Sequence, residues 1–147
     1  MPKENDMTIT QIHPVDGSIK IPLPFYQGPL RAGFPSAADD YLDQQLDLNE
    51  HLIHHPASTF FVKVKGDSMI NAGIHSGDML IVDRSLEPKH RNIIVAVING
   101  EFTVKRLLKS NGNCQLEPSN PNYPVFQITG SMDFEIWSVV LHVIHSF

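Results

Sequence analysis

The amino-acid sequence predicts a mainly β domain with strongly bent, barrel-like sheets, one short helix and an extended N-terminal arm. Two observations carry this prediction. From Thr59 onward, the chain repeats short segments that are rich in Val, Ile and Phe and are separated by turn residues. Before that point, prolines cluster in residues 1–31, where each one removes a backbone donor and favours an extended chain.

The arm and the helix come first along the chain. Residues 1–31 offer few apolar anchors, so we expect a mobile or extended arm that takes no part in the core. The next segment, "AADDYLDQQLDLNEHLI", predicts a helix of two to three turns with an apolar stripe from Tyr41 to Leu52. Ser36, followed by an acid three positions later, resembles a cap, and Pro56 bounds the helix on its far side.

The remaining predicted elements are strands. Asn99-Gly100 lies between two strand-like runs and predicts a tight hairpin, because both residues tolerate positive φ. The predicted strands lie in the segments "TFFVKVKG", "DMLIVD", "NIIVAVI", "EFTVKRLL", "NCQLEP", "VFQIT" and "FEIWSVVLHVI".

Composition and charge restrict the class of protein. The 147 residues suffice for one domain, and no apolar run approaches the roughly 18 residues that cross a bilayer. The start lacks the apolar region of a secretory signal, and Cys114 is the single cysteine, so we expect a cytoplasmic protein. The net charge is -5 and residues 1–32 are neutral, so residues 33–147 carry the negative charge. A domain with this negative charge is poorly suited to binding the DNA phosphate backbone directly, so it would need a protein partner to act on DNA.

The stretch "KGDSMINAG" contains a candidate nucleophile, Ser68. A Gly-Asp-Ser-Met turn is most often only a turn that its own polar side chains cap. A serine becomes nucleophilic when a base takes its proton, and none of the eight histidines is placed by sequence as such a base. If Ser68 begins a helical turn, its N–H and that of a neighbour such as Met69 would form an oxyanion hole. Gly66 would let main chain and substrate approach closely.

Lys105, in "EFTVKRLL", is the second candidate base. Strand alternation puts Thr103 and Lys105 on one face and Val104 on the other, and one of these faces must be buried. The ordinary lysine pKa of about 10.4 leaves only about one lysine in 2,000 neutral at pH 7. Burial would lower the pKa and allow neutral Lys105 to deprotonate Ser68. The alternative is a lysine whose amine reaches water.

Three segments in order resemble the self-cleaving SOS-response proteins of the LexA and UmuD type: "GDSMINAGIHSGDMLIVDRS", "HRNIIVAVINGEFTVKRL" and "LEPSNPNYPVFQI". The resemblance runs from about Gly33 to the C-terminus and implies the barrel-like catalytic domain of that family. It also implies that Ser68 is the nucleophile and Lys105 the general base of an autoproteolytic serine peptidase.

The cleavage bond that the resemblance implies is Ala32-Gly33 in "PLRAGFPS". The dipeptide is common, but here it lies where the proline-rich arm meets the domain, and two small residues can enter a narrow cleft. Cleavage would remove a flexible arm, residues 1–32, and leave a β-rich peptidase and dimerisation domain, residues 33–147. The resemblance leaves open whether a chain cuts its own arm or its partner's.

The short neutral arm favours the UmuD branch, since LexA-type repressors carry a helix-turn-helix domain before the cleavage bond. Ala32 departs from UmuD proteins, which often have Cys at that position. The UmuD branch implies a homodimer whose cleavage is stimulated by the RecA nucleoprotein filament. Its trimmed form would be the accessory subunit of a UmuC-like Y-family DNA polymerase in error-prone translesion synthesis. A LexA-type repressor fragment is the alternative within the family.

Other classes fit the residues less well. Signal peptidases use a related Ser–Lys dyad but are membrane-anchored. Esterases of the Gly-Asp-Ser type need an Asp-x-x-His pair, which the chain lacks. A non-catalytic β-rich regulatory interaction module stays open as an alternative. No cofactor is expected, and no metal either, because His51, His54 and His55 in "HLIHH" have no acid or cysteine that completes a site.

Overall fold

The computed structural model describes residues 4–16, 22–26 and 42–147. Its elements follow in chain order: β1 (Thr8–Pro14), β2 (Pro22–Tyr26), β3 (Leu42–Asp47), α1 (Leu48–Leu52), β4 (Thr59–Lys65), β5 (Met79–Asp83), β6 (Ile93–Ile98), β7 (Glu101–Ser110), β8 (Asn113–Glu117), β9 (Phe126–Gln127) and β10 (Phe134–Ile144). Within these ranges, no helix is both long enough and apolar enough to span a bilayer.

The described residues divide into two compact units. The larger unit joins the residues up to Val15 to Ser58–Phe147, and its eight strands form one antiparallel sheet in the order β1-β4-β5-β10-β6-β7-β8-β9. Strand β1 also reaches β7, where Thr8 Oγ1 donates a hydrogen bond to Phe102 O at 2.9 Å, so the sheet curls into a half-barrel. The smaller unit, within Asp16–Ala57, contains the β2–β3 hairpin and α1.

The sheet of the larger unit is covered by apolar side chains on both faces. Alternation along β6 sends Val95 into one core cluster and Ile94 and Ala96 into the other. The first cluster contains Met7, Val62, Val64, Met69, Ile74, Leu80, Val82, Val95 and Val104. The second contains Ile94, Ala96, Leu107 and Leu116.

The predicted mainly β, barrel-like fold with one short helix is confirmed, and a strand lies in each of the seven predicted segments. The predicted hairpin at Asn99-Gly100 is also confirmed. Asn99 has a φ of 50° and Gly100 a φ of 84°, and they connect Ile98 directly to its cross-strand partner Glu101. Two successive positive φ values match the right-handed twist of the strands that this turn connects.

The predicted helix is wrong over much of its length. Leu42–Asp47 is strand β3, which pairs with β2, and within the described part of the predicted helix only Leu48–Leu52 is helical. The cap is Asp47, whose carboxylate accepts a hydrogen bond from Asn49 N at 3.0 Å. Hydrogen bonding to β2 therefore determined the conformation of Leu42–Asp47, although the local apolar stripe had predicted a helix. The predicted cap at Ser36 lies outside the described residues.

The start of the N-terminal arm is extended, as predicted, but it packs in the core. Strand β1 pairs with β4 from Thr8 opposite Lys65 to Pro14 opposite Phe60. Met7, just before the strand, is only 1% exposed and belongs to the first core cluster. The prediction that the arm takes no part in the core is therefore wrong for this segment.

Leu80→Ala is expected to lower the free energy of unfolding by about 2–5 kcal/mol, because it removes fully buried methyl groups and leaves a cavity. The matched control is Leu141→Ala on β10, where the side chain is 40% exposed and the loss should stay under about 1 kcal/mol. Urea unfolding followed by the fluorescence of Trp137 measures both changes. Equal losses in the two variants would contradict the core described above.

Candidate active site

Strand β7 and the turn after β4 bring the two candidate catalytic residues together. Ser68 follows the end of β4 by three positions and precedes a single 3-10 turn over Ile70–Ala72, and Lys105 lies on β7. Lys105 Nζ is 3.3 Å from Ser68 Oγ. Ser68 is 0% exposed and Lys105 is 5% exposed, so both side chains are buried.

Gly66 allows a close approach of two main chains beside Ser68. Its φ of 113° lies in the region that favours glycine. A Cβ at this position would lie 2.6 Å from Asn5 O and 2.8 Å from Met7 Cα, too close for any side chain. The close approach expected at Gly66 is thus present, and the neighbour is the chain's own N-terminal segment.

A segment after β8 supports the other side of the Ser68 turn. Asn120 Nδ2 donates to Asp67 O at 3.0 Å, and Asn71 N donates to Ser119 O at 2.8 Å. Tyr123 OH donates to the Asp67 carboxylate, and this hydrogen bond, with desolvation, raises the pKa of Tyr123 to about 12. Sequence reasoning assigned these residues no role, although they lie in one of the segments that carry the family resemblance.

Four oxygen atoms surround the amine of Lys105. Nζ lies 2.8 Å from Thr103 Oγ1, 3.2 Å from Val104 O and 3.3 Å from Ser68 Oγ, and it forms an ion pair with the Asp6 carboxylate. Burial lowers the pKa of Lys105 from its ordinary value of 10.5, while the hydrogen bond and charge of Asp6 oppose this shift. Sequence reasoning did not identify Asp6, which lies 99 positions away from Lys105 in the chain.

The N-terminal segment Asn5–Met7 lies across this pair through its main chain. Asp67 N donates to Asn5 O at 3.0 Å. Met7 N donates to Ser68 Oγ at 2.9 Å, and Thr103 Oγ1 donates to Met7 O at 3.1 Å. The contacts connect the start of the chain to both the serine turn and the lysine strand.

A cleft of about 550 Å³ opens beside Lys105. Its wall includes Asp6, Thr8, Phe102, Lys105, Tyr123 and Phe126. Ser68 does not line this cleft, since the Met7 main chain lies against its hydroxyl. The cleft is large enough for a few residues of an extended peptide.

The sequence also predicted cleavage residues and a second oxyanion donor, and it contains a histidine cluster that was not expected to bind metal. Ala32 and Gly33, the predicted cleavage residues, lie outside the described residues. Met69, the predicted second oxyanion donor, directly follows Ser68 and is fully buried at the start of the 3-10 turn. The histidines of "HLIHH" lie on and after α1.

A cluster that sequence reasoning missed lies elsewhere in the larger unit. His75, Asp78 and His145 each offer a ligand atom, and these atoms lie within 4.8 Å of one another. The register between β5 and β10 brings them together, since Asp78 precedes Met79 and His145 follows its cross-strand partner Ile144. Seventy positions separate the two histidines, so local spacing carried no signal of a metal site (145 − 75 = 70).

Comparison with known proteins identifies the family. The profile of the family described as Peptidase S24-like matches residues 24–141. The chain belongs to the S24-like peptidase family. This S24-like peptidase is 48% identical to Protein MucA of Salmonella typhimurium over 121 residues, which cover 82% of each chain. It is 47% identical to Protein ImpA of Shigella flexneri over 122 residues, which cover 83% of each.

A LexA repressor from Paracidovorax citrulli is also similar. It is 36% identical to this S24-like peptidase over 138 residues, which cover 93% of this chain and 61% of the repressor. The resemblance to proteins of the LexA and UmuD type is thereby confirmed, as is the prediction of a serine peptidase.

Proposed function

We propose that this protein is a UmuD-like peptidase of the SOS response in which Ser68 and Lys105 cut the Ala32–Gly33 bond of the same protein. The 3.3 Å contact between Lys105 Nζ and Ser68 Oγ, both buried, is the observation that carries the proposal. Membership of a serine peptidase family supports the proposed dyad. Catalysis by a serine nucleophile needs a base within hydrogen-bond distance of the hydroxyl.

The hydrogen-bond acceptors around Lys105 Nζ can satisfy both N–H groups of a neutral amine. Neutral lysine has two N–H donors and one lone pair. Thr103 Oγ1 and Val104 O would accept the two N–H groups, which leaves the lone pair for the proton of Ser68. Burial supports this state because it lowers the pKa of Lys105.

The proposed reaction has two halves. Ser68 Oγ attacks the Ala32 carbonyl carbon while its proton passes to Lys105, and the N–H groups of Ser68 and Met69 stabilise the oxyanion. Lys105 then protonates the Gly33 nitrogen as the Ala32–Gly33 bond breaks. Water hydrolyses the remaining ester between Ala32 and Ser68, which restores the serine hydroxyl and releases the carboxylate of Ala32.

The family branch supports the biological setting that we propose. The similarity to MucA and ImpA over most of the chain supports a role in SOS mutagenesis. In this proposal, the RecA nucleoprotein filament stimulates cleavage in the cytoplasm. A homodimer of residues 33–147 then serves as the accessory subunit of a UmuC-like Y-family polymerase. The net charge of -5 favours a protein partner over direct DNA binding.

Incubation of the full chain with activated RecA is expected to release a 115-residue fragment that begins at Gly33 (147 − 32 = 115). Ser68→Ala and Lys105→Ala should slow its release at least ~100-fold, because each removes one half of the dyad. Intact-mass spectrometry measures the fragment over time.

Ser110→Ala and Lys109→Ala are the matched controls, since both residues are exposed on the same strand β7. They should cleave at the wild-type rate. Wild-type cleavage of Ser68→Ala or Lys105→Ala would rule out the dyad. A wild-type chain that stays whole with activated RecA would favour the non-catalytic interaction module.

The rate of self-cleavage should rise with pH, because only neutral Lys105 can accept the serine proton. Below the pKa of Lys105, each pH unit should change the rate about tenfold. Because burial lowers this pKa, the rise should level off below pH 10.5. Rates measured across a series of buffers test this prediction, and a profile independent of pH would exclude Lys105 as the base.

A further inference from the structure

We propose that the dyad site binds the chain's own segment Asn5–Met7, which carries the acidic side chain of Asp6, and that this segment occupies the site uncut and inhibits Ser68. This inference rests on the proposed function and concerns the regulation of the same site. The scissile bond must then displace a resident segment before it can react.

The segment contacts the site chiefly through its main chain. Asn5 O accepts from Asp67 N at 3.0 Å, and Met7 O accepts from Thr103 Oγ1 at 3.1 Å. The Met7 side chain anchors the segment, since it is 1% exposed within the core. Strand β1 continues this docking along β4 in the antiparallel pattern of a strand added to a sheet edge.

The bound segment engages the nucleophile directly. A serine oxygen has two acceptor lone pairs. Met7 N–H takes one of them at 2.9 Å, and Lys105 Nζ lies 3.3 Å from the same oxygen. A reacting carbonyl carbon must come to about 3–3.5 Å from this oxygen, and Met7 N, at 2.9 Å, already occupies that approach.

Asp6 changes the chemistry of the base as well. Thr103 Oγ1 and Val104 O alone satisfy the two N–H groups of a neutral amine. The Asp6 carboxylate adds an acceptor for a third N–H and a negative charge, so it favours the ammonium form. An ammonium cannot take the proton of Ser68. The segment therefore blocks the nucleophile, and its carboxylate opposes the lowering of the Lys105 pKa by burial.

The test is self-cleavage of the full chain carrying Asp6→Asn, at neutral pH and without RecA. Loss of the charge should lower the pKa of Lys105 further, increase its neutral fraction and speed cleavage by about tenfold. Asp6→Glu keeps the charge and should stay close to the slow wild-type rate. Glu87→Gln, at an exposed acid outside the cleft, is the control for a general change in charge.

The pKa of Lys105, followed by NMR of isotope-labelled lysine side chains, separates this inference from the proposed function. If the wild type cleaves and Asp6→Asn is no faster, inhibition by the segment is wrong and the dyad still stands. If neither chain is cleaved even after activated RecA is added, the proposed function fails. The pKa then decides the inference, since an equal pKa in the two chains would overturn it and a lower pKa in Asp6→Asn would support it.

A separate observation concerns the histidine cluster, and we infer that His75, Asp78 and His145 form a zinc site. Two imidazoles and one carboxylate are typical zinc ligands, and they leave an open coordination position. His145 Nδ1 lies 2.5 Å from Asp78 Oδ1, and His75 Nδ1 lies 3.7 Å from Asp78 Oδ2. Ligand atoms around one zinc ion lie about 3–4 Å apart, so modest rotation of the exposed rings would open the space.

The carboxylate of this cluster is held in position before any metal binds. Asp78 is 3% exposed, and its Oδ2 accepts a hydrogen bond from His75 N at 2.7 Å. Outer hydrogen bonds of this kind orient a ligating group. The imidazoles are 48% and 40% exposed, which gives an ion access from solvent.

Titration of the full chain with Zn²⁺, with Co²⁺ as the visible-absorbing substitute, tests this site. One ion should bind per chain, and His75→Ala and His145→Ala should each weaken binding at least ~10-fold. His54→Ala, in the separate "HLIHH" cluster, should bind like the wild type. No binding by the wild type, or equal binding by all four chains, would overturn the site, and loss in His54→Ala alone would assign the ion to "HLIHH".

Discussion

The buried amine of Lys105 is the constraint on which the rest of the site depends. Removing an ammonium from water costs several kcal/mol, so the amine must lose its proton or find acceptors and a counter-charge. Thr103 and Val104 suit the neutral amine, and Asp6 completes the set for the charged one. Burial lowers the pKa of Lys105, and Asp6 opposes that shift. In the proposed mechanism, the pKa of Lys105 would connect catalytic competence to the position of the N-terminal segment.

Strand β1, which directly follows this segment, also protects a sheet edge. Strand β1 is the outermost strand, and its inner neighbour is β4, which carries the turn that presents Ser68. The proposed removal of residues 1–32 would take β1 away and leave β4 as the edge. An edge strand has unpaired N–H and C=O groups that can receive another strand. On this basis, cleavage would both consume the inhibitor and create a surface for a partner.

Sequence patterns predicted the strands well because alternation and turn chemistry are local. The hairpin at Asn99-Gly100 needs only two residues that tolerate positive φ, and the sequence displays them. The helix prediction failed because the backbone of Leu42–Asp47 finds its partner in β2, far away along the chain. The burial of Met7 was not predicted for a related reason. A single apolar residue in a polar arm gives no periodic signal of burial.

The sequence by itself determined the family, the strand order along the chain and the identity of Ser68 and Lys105 as candidates, because ordered motifs and local periodicity encode these features. Only the tertiary structure decided what surrounds the pair. Asp6, Tyr123 and the histidine cluster reach their positions through strand register and sheet curvature, and these are long-range properties. Hydrogen bonds and charge interactions act over a few ångströms in space, whereas the residues that make them here lie tens of positions apart in the chain.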